Sequence, residues 1–458
     1  MRKLIKVKKI LFFLNISFVL GCSSIENQKT YLDGRIIKTS TNTISILKDE
    51  KLIKSEKIFD DGYFKFELDS ITNGLYNFQL NPEFQYIILN NGDSISLRLN
   101  TLDFDESLVF IGKGSSINNF LIDIFLKKEM EQKFLNKQMM MEYNYFKSIT
   151  DSLIKENEQM LSDFKKNKKI SKTENIILKY ALFMPIYSQM ERYYSINSAN
   201  FKSSEKNSFF EFRKNINFNI EQLSHFKPYL DYLIVRSENQ DDFHVNDFEN
   251  IDLNYSISRL KFINSKVQNK KIKAKVLRHI AYEYLLKEEI LIDIDNFLYE
   301  FKRISENLQI NDEIQELYKN IVQLQIGKKI PQFELFNTKG ELTKSNKINS
   351  NKKLIYTFWS AKQDSHKNSL FNRIFKIIEQ NNQDYTFVCI NINEDESDWL
   401  ESIKKIPSSK SINHFKSKYF DDMSKKMILD NLNKIVITNK NGIILDISDI
   451  AKLEMNNY

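Results

Sequence analysis

Hydrophobic and polar residues alternate along this chain in three rhythms. Between 30 and 112 the period is two. In 62–68, Phe64, Phe66 and Leu68 share one face of an extended strand, and 44–46, 76–80 and 94–99 repeat the pattern. Asp61-Gly62 and Asn91-Gly92 are hairpin-type turn signals. Several short strands at this spacing predict a small antiparallel sandwich or barrel over 28–114. The rhythm then changes. No glycine occurs from 115 to 326, and only Pro185 and Pro228 interrupt that interval, which predicts helices. Ser116 is the expected N-cap of a first helix using Phe120, Ile124 and Phe125. The clearest helix spans 312–325, with Asn311 as its expected cap, Ile314, Leu317, Ile321 and Leu324 as one stripe, and Gly327 as its stop. From 327 onward short apolar runs return. Those at 354–359 and 385–392 read as strands buried on both faces. Between them Leu370, Ile374, Ile377 and Ile378 keep helical spacing. The runs 434–438 and 443–447 flank Asn439-Lys440-Asn441-Gly442, a further hairpin signal, and ten residues follow Ser448, enough for a short closing helix.

Length and charge narrow the reading. A chain of 458 residues predicts two to four domains, and 41% hydrophobic residues suffice for folded cores. Five of the seven net positive charges, Arg2, Lys3, Lys6, Lys8 and Lys9, lie in 1–21, which holds no acid. The remaining +2 leaves no electrostatic footprint for nucleic acid. The basic start precedes an apolar stretch, 10–20, shorter than the roughly 20 residues that cross a bilayer, and ends in Gly21-Cys22. This pattern resembles the bacterial lipoprotein signal. The resemblance implies cleavage after Gly21, thioether lipidation of Cys22, and attachment to a membrane of the bacterial envelope, at the outer membrane or the periplasmic face. The chain has two cysteines, Cys22 and Cys389. With Cys22 lipidated, no internal disulfide is expected.

The stretch 354–368, LIYTFWSAKQDSHKN, supplies the candidate site. A buried strand, a tight polar turn and a helix N-terminus bring free backbone N–H groups together. The run resembles the active-site segment of thioredoxin-fold proteins of the TlpA/ResA type, whose turn reads roughly F-W-A-x-W-C-x-x-C. Gly327, Pro331 and Phe333 resemble that family's entry, G-x-x-x-P-x-F. The stretches 84–93 and 111–115 are similar to a small β-domain of unknown function that precedes thioredoxin-like modules in envelope lipoproteins. The fold expected is therefore multidomain α+β: a signal peptide (1–21), an antiparallel β-domain (28–114), an all-α middle (115–326) and a C-terminal thioredoxin-like α/β domain (327–458). Aligned on Phe358 and Trp359, the family's two cysteines fall on Gln363 and His366, and its site proline on Asn433.

Dithiol chemistry needs a thiolate activated at the helix start and a second thiol to resolve the mixed disulfide. Glutamine and histidine supply neither. The candidate site thus consists of Trp359, Gln363, Asp364, Ser365, His366 and Asn433, with no catalytic residue among them. Asp364 or Ser365 is the expected N-cap of the helix. Cys389, mid-strand, reads as a buried small hydrophobe. His225, His244, His279 and His414 show no metal-ligand spacing, and no phosphate-binding glycine loop occurs, so neither metal nor cofactor is expected. The Met139-Met140-Met141 run, Tyr282 and Tyr284 read as packing. The function expected is binding of an envelope protein, a peptide or a small ligand without redox turnover, or scaffolding; the alternative implied by the resemblance is a thiol-disulfide oxidoreductase.

Overall fold

A computed structural model of the chain describes residues 29–39, 41–81, 83–240, 253–287, 294–348, 350–381, 385–392 and 395–453. The signal segment 1–21, Cys22 and His244 lie outside the described residues. The chain divides into two compact units, 1–248 with 265–272, and 249–264 with 273–458.

The first unit opens with eight strands: β1 (Thr30–Ile37), β2 (Thr43–Lys48), β3 (Lys51–Lys57), β4 (Tyr63–Leu68), β5 (Gly74–Leu80), β6 (Glu83–Leu89), β7 (Ser94–Asn100) and β8 (Val109–Lys113). They form two four-stranded sheets, ordered β4-β1-β7-β8 and β3-β2-β5-β6. Phe64, Phe66, Phe78, Ile44, Ile46 and Leu99 are fully buried in their shared core, as the period-two pattern requires. The expected all-antiparallel pairing needs one correction. β1 and β7 run parallel, in register from Tyr31 opposite Ser94 to Ile37 opposite Asn100. The two expected hairpin turns are also corrected. Asp61-Gly62 leads from β3 to β4 and Asn91-Gly92 from β6 to β7, and each pair of strands lies in different sheets. Gly62 has φ +79°, so the dipeptide specifies a sharp turn, but not that the flanking strands pair. A tight hairpin sits instead at Asp49-Glu50, between β2 and β3, both with positive φ.

Helices α1 (Phe104–Ser107), α2 (Ser115–Asn136), α3 (Tyr143–Asn167), α4 (Lys172–Asn197), α5 (Ser203–Phe209) and α6 (Lys227–Glu238) complete most of this unit. Gly114, not Ser116, precedes α2 as its N-cap. Its φ is +97°, and a Cβ there would meet the Asp93 carboxyl carbon at 2.7 Å. The change from strand to helix at 114/115 lies inside the first compact unit. β6 and β8 are sheet edges, and two neighbouring asparagines of α2 pair with them. The Asn118 side chain accepts from the Ile88 N–H (2.7 Å) and donates to its carbonyl (2.9 Å). Asn119 does the same for Phe110, at 2.8 Å in both directions. Each amide thus stands in for a missing neighbouring strand. The Tyr86 hydroxyl adds a further tie, donating to the His225 carbonyl and accepting from the Lys227 N–H (2.9 Å). Within the helices, the Glu191 carboxylate is fully buried. It accepts from Arg213 Nε (2.8 Å) and Asn239 Nδ2 (2.9 Å), with Arg236 Nε 3.9 Å away.

Helices α7 (Leu253–Lys266) and α8 (Lys270–Leu285) straddle the division of the chain, since 265–272 belong to the first unit. The second unit continues through α9 (Ile294–Ile304) and α10 (Leu308–Gln323). α10 starts earlier than expected: Asn307 caps it, accepting from the Ile310 N–H, and Asn311 lies inside it. The compact unit thus takes in α9 and α10 as well as the segment beyond 326/327, where strands return. These are β9 (Glu334–Asn337), β10 (Leu342–Lys344), β11 (Lys353–Trp359), β12 (Tyr385–Asn391), β13 (Ile412–Ser417), β14 (Lys434–Thr438) and β15 (Ile444–Asp449), in one sheet ordered β10-β9-β13-β12-β11-β14-β15. β11, β12 and β13 are parallel; β14 and β15 are antiparallel additions. Helices α11 (Asp364–Asn381), α12 (Glu396–Lys404), α13 (Phe420–Lys426) and α14 (Ile450–Leu453) follow strands in turn. Apolar cores lie on both faces of the sheet, one with Tyr356, Phe358, Val388 and Met423, the other with Trp359, Phe371, Phe387 and Trp399. This strand order, with a parallel centre and an antiparallel hairpin at one side, is thioredoxin-like.

Candidate functional site

The site sits where β11 ends and α11 begins, at the carboxyl end of the parallel strands. Trp359 closes β11 fully buried. Its ring meets Phe371 of α11 edge-on at 5.4 Å, and its indole N–H finds no partner among the described residues. The Trp359 carbonyl accepts from the Ile392 N–H (2.9 Å), which ties the end of β11 to that of β12. The turn that follows is held by polar side chains. Ser360 Oγ accepts from the Lys362 N–H (3.2 Å), and Asn391 Oδ1 accepts from the Ala361 N–H (3.3 Å). Asn391, fully buried at the end of β12, is a site residue that sequence reasoning missed. Its signal was a polar side chain closing an apolar run.

Gln363, at the first cysteine position, precedes α11 and is exposed; its carbonyl accepts from the Lys367 N–H (2.9 Å). Asp364 is the first helical residue. Its carboxylate pairs with the Lys367 ammonium, whose donated hydrogen bond and positive charge hold the Asp364 carboxyl below the usual carboxylate range. Ser365 is exposed within the first turn. His366, at the second cysteine position, turns inward. The Asn433 side chain and Leu432 backbone stand close enough to favour its protonated form, yet burial outweighs them and lowers its pKa. Neither imidazole nitrogen completes a well-directed hydrogen bond. The fold therefore brings His366 of α11 and the Asn433 loop together, although 67 residues separate them in sequence.

That loop is fixed by its own backbone. Ile428 adopts φ +47°, rare for a β-branched residue. The Lys434 ammonium donates to its carbonyl (2.7 Å), and the Leu429 N–H donates to Ser424 (2.8 Å). The Asn433 carbonyl accepts from the Ile450 N–H (2.8 Å), which joins the loop to α14.

Cys389 lies elsewhere. It is mid-strand in β12, paired in register with Thr357 of β11 and His414 of β13. Fully buried, its thiol is pushed up to about 12; the Thr357 hydroxyl opposes this only in part. His414 offers no cation to activate it, because burial lowers its pKa to about 4. Among the described residues, no group of three or more His, Cys, Asp and Glu side chains is placed to hold a metal ion. What the site offers is an exposed helix start, with Gln363, Asp364 and Ser365 as hydrogen-bonding groups, beside a half-buried His366 and an exposed Asn433.

No known family's sequence model matches this chain, and no curated protein matches it. Solved structures do. A thioredoxin-like protein from Bacteroides caccae is 14% identical, with 59% of this chain and 92% of that one covered and a TM-score of 0.32. The thioredoxin domain of a thiol-disulfide oxidoreductase from Bacteroides vulgatus is 17% identical, over 29% of this chain and 97% of that one, with a TM-score of 0.23. A conserved protein of unknown function from Bacteroides fragilis is 14% identical, over 29% and 97%, with a TM-score of 0.25. The thioredoxin-like assignment rests on strand order and connections, not on these scores. No helix of the described residues is long and apolar enough to cross a membrane.

Proposed function

We propose that the second unit is a thioredoxin-like recognition module without a dithiol cycle, carried on an envelope lipoprotein anchored through Cys22. One observation carries the redox part. The start of α11 presents Gln363 to His366, and the one other sulfhydryl, Cys389, is fully buried two residues back from the end of β12 with its thiol raised to about 12. A dithiol cycle moves two electrons through two sulfurs, and the attacking sulfur must be a thiolate. Left to this surface is the binding of a protein or peptide by the polar groups of the helix start and the Asn433 loop. The anchoring part rests on the basic, apolar, Gly21-Cys22 sequence of the leader.

The purified chain should not reduce insulin, and Cys389 should resist alkylation until the chain is unfolded. Insulin reduction above background that disappears in Cys389→Ser would restore the oxidoreductase reading. Cys22→Ala should move the protein from the membrane to the soluble fraction; an unmodified mature N-terminus at another position would refute the anchor.

A further inference from the structure

The helices of the first unit enclose a cleft of about 660 Å³, far from the chemistry of the thioredoxin-like sheet in sequence and independent of its reading. Small-ligand sites commonly have volumes of about 300–1,000 Å³. α3, α4 and the segment 212–216 wall it. One wall is a ladder of near-parallel rings. Tyr187 lies over Phe212 with centroids 4.4 Å apart and planes 15° apart, and Phe183 follows at 6.0 Å and 23°. Phe183 and Tyr187 are one helical turn apart on α4 and so share a face. Tyr180 lies one turn earlier, its hydroxyl fixed by the Asn217 N–H (3.1 Å).

The rim is cationic. Lys165 and Lys166 come from α3 and Lys179 from α4, against Glu158 as the one acid among the described lining residues. Lys166 pairs with Asp163 at 2.8 Å. Lys165 and Lys179 are exposed and make no ion pair with any described residue. A wholly apolar guest would leave those ammonium groups unanswered, and a cationic one would meet them as like charges.

We propose that this cleft binds a small organic anion with a flat apolar body, its charged head at Lys165 and Lys179 and its body against the Phe183–Tyr187–Phe212 ladder. Two fluorescent probes separate head from body: anilinonaphthalene sulfonate, an aromatic anion, and phenylnaphthylamine, the same aromatic body without the charge. Titrated into the full chain, the sulfonate should fill one saturable site and bind about tenfold tighter than the neutral probe, an electrostatic preference that added salt reduces. The double variant Lys165→Glu, Lys179→Glu changes only exposed side chains and should keep the wild-type melting temperature. It should lose the sulfonate preference while binding the neutral probe unchanged. Phe212→Ala should weaken both probes. Absence of saturable binding, equal binding of the two probes to the wild type, or an unchanged sulfonate affinity in the lysine variant would each overturn the proposal.

Discussion

At the scale of single residues, two buried titratable sites make demands on the fold. His414 is held neutral: folded, burial against groups such as Phe371 lowers its pKa to about 4, whereas an unfolded histidine titrates near 6.5. Between those values the unfolded chain binds a proton that the folded chain refuses, so stability falls as pH drops from about 6.5 to about 4 and is level below that. His366 leans the same way. Urea midpoints compared at about pH 7 and about pH 5 should fall less in His414→Phe than in the wild type; equal falls would show that the imidazole titrates normally. Glu191 is a fully buried carboxylate paired with Arg213, with Arg236 beyond it. Glu191→Ala removes the buried, hydrogen-bonded acid of this pair and should cost about 3–5 kcal/mol in urea unfolding. A loss below about 1 kcal/mol, the value of an exposed pair, would mean that solvent reaches the site. Neither site was legible in sequence, since Glu191 sits in a helical run like any surface acid, and its partners are 22 and 45 residues away.

At the scale of elements, pattern and outcome diverge wherever pairing is decided at a distance. Phe64, Phe66 and Leu68 alternate in β4 as their spacing predicts, and 354–359 and 385–391 are the two central strands of the second sheet. β13 was not foreseen. Its sequence, INHFKS, has no period-two apolar alternation, yet it pairs with both β12 and β9, and Phe415, Lys416 and Ser417 are buried. Periodicity records what a strand faces, and a strand closed in by others need not advertise it. The candidate site was legible at Trp359 and along 363–366 because a strand-turn-helix junction is local. The Asn433 loop was placed by family resemblance, and the closeness of His366 to Asn433 is a product of the fold. The asparagine pair of α2 tests how firmly helix and sandwich are joined. In Asn118→Ala the Ile88 N–H and carbonyl lose their partner on a buried edge, at a cost of about 1–3 kcal/mol. The Ile88 amide should exchange with deuterium faster, ahead of the amides of the central strand β1; unchanged protection would mean that the sandwich closes its own edge.

At the scale of the whole molecule, the two compact units differ from the expected three domains because element type changes at 114/115 and 326/327 while packing does not. The stretch 265–272 shows the consequence for cutting the chain. Val267 and Ile272 are fully buried, Asn219 Oδ1 accepts from the N–H groups of Gln268 (2.6 Å) and Asn269 (2.9 Å), and Lys271 reaches Glu221 at 3.0 Å. A fragment ending at 272 should therefore melt at a higher temperature than one ending at 248, given about 1.5–3 kcal/mol for each buried aliphatic side chain. Equal melting temperatures would show that 265–272 adds nothing to the first unit. The same interleaving sets a timetable for synthesis. Domains generally fold as they leave the ribosome, N-terminal first, but here 249–264, part of the second unit, emerges ahead of the segment that finishes the first. Those residues emerge before the nascent chain has completed a unit to which they do not belong, and their own unit is complete only after the strands of its sheet have followed them out.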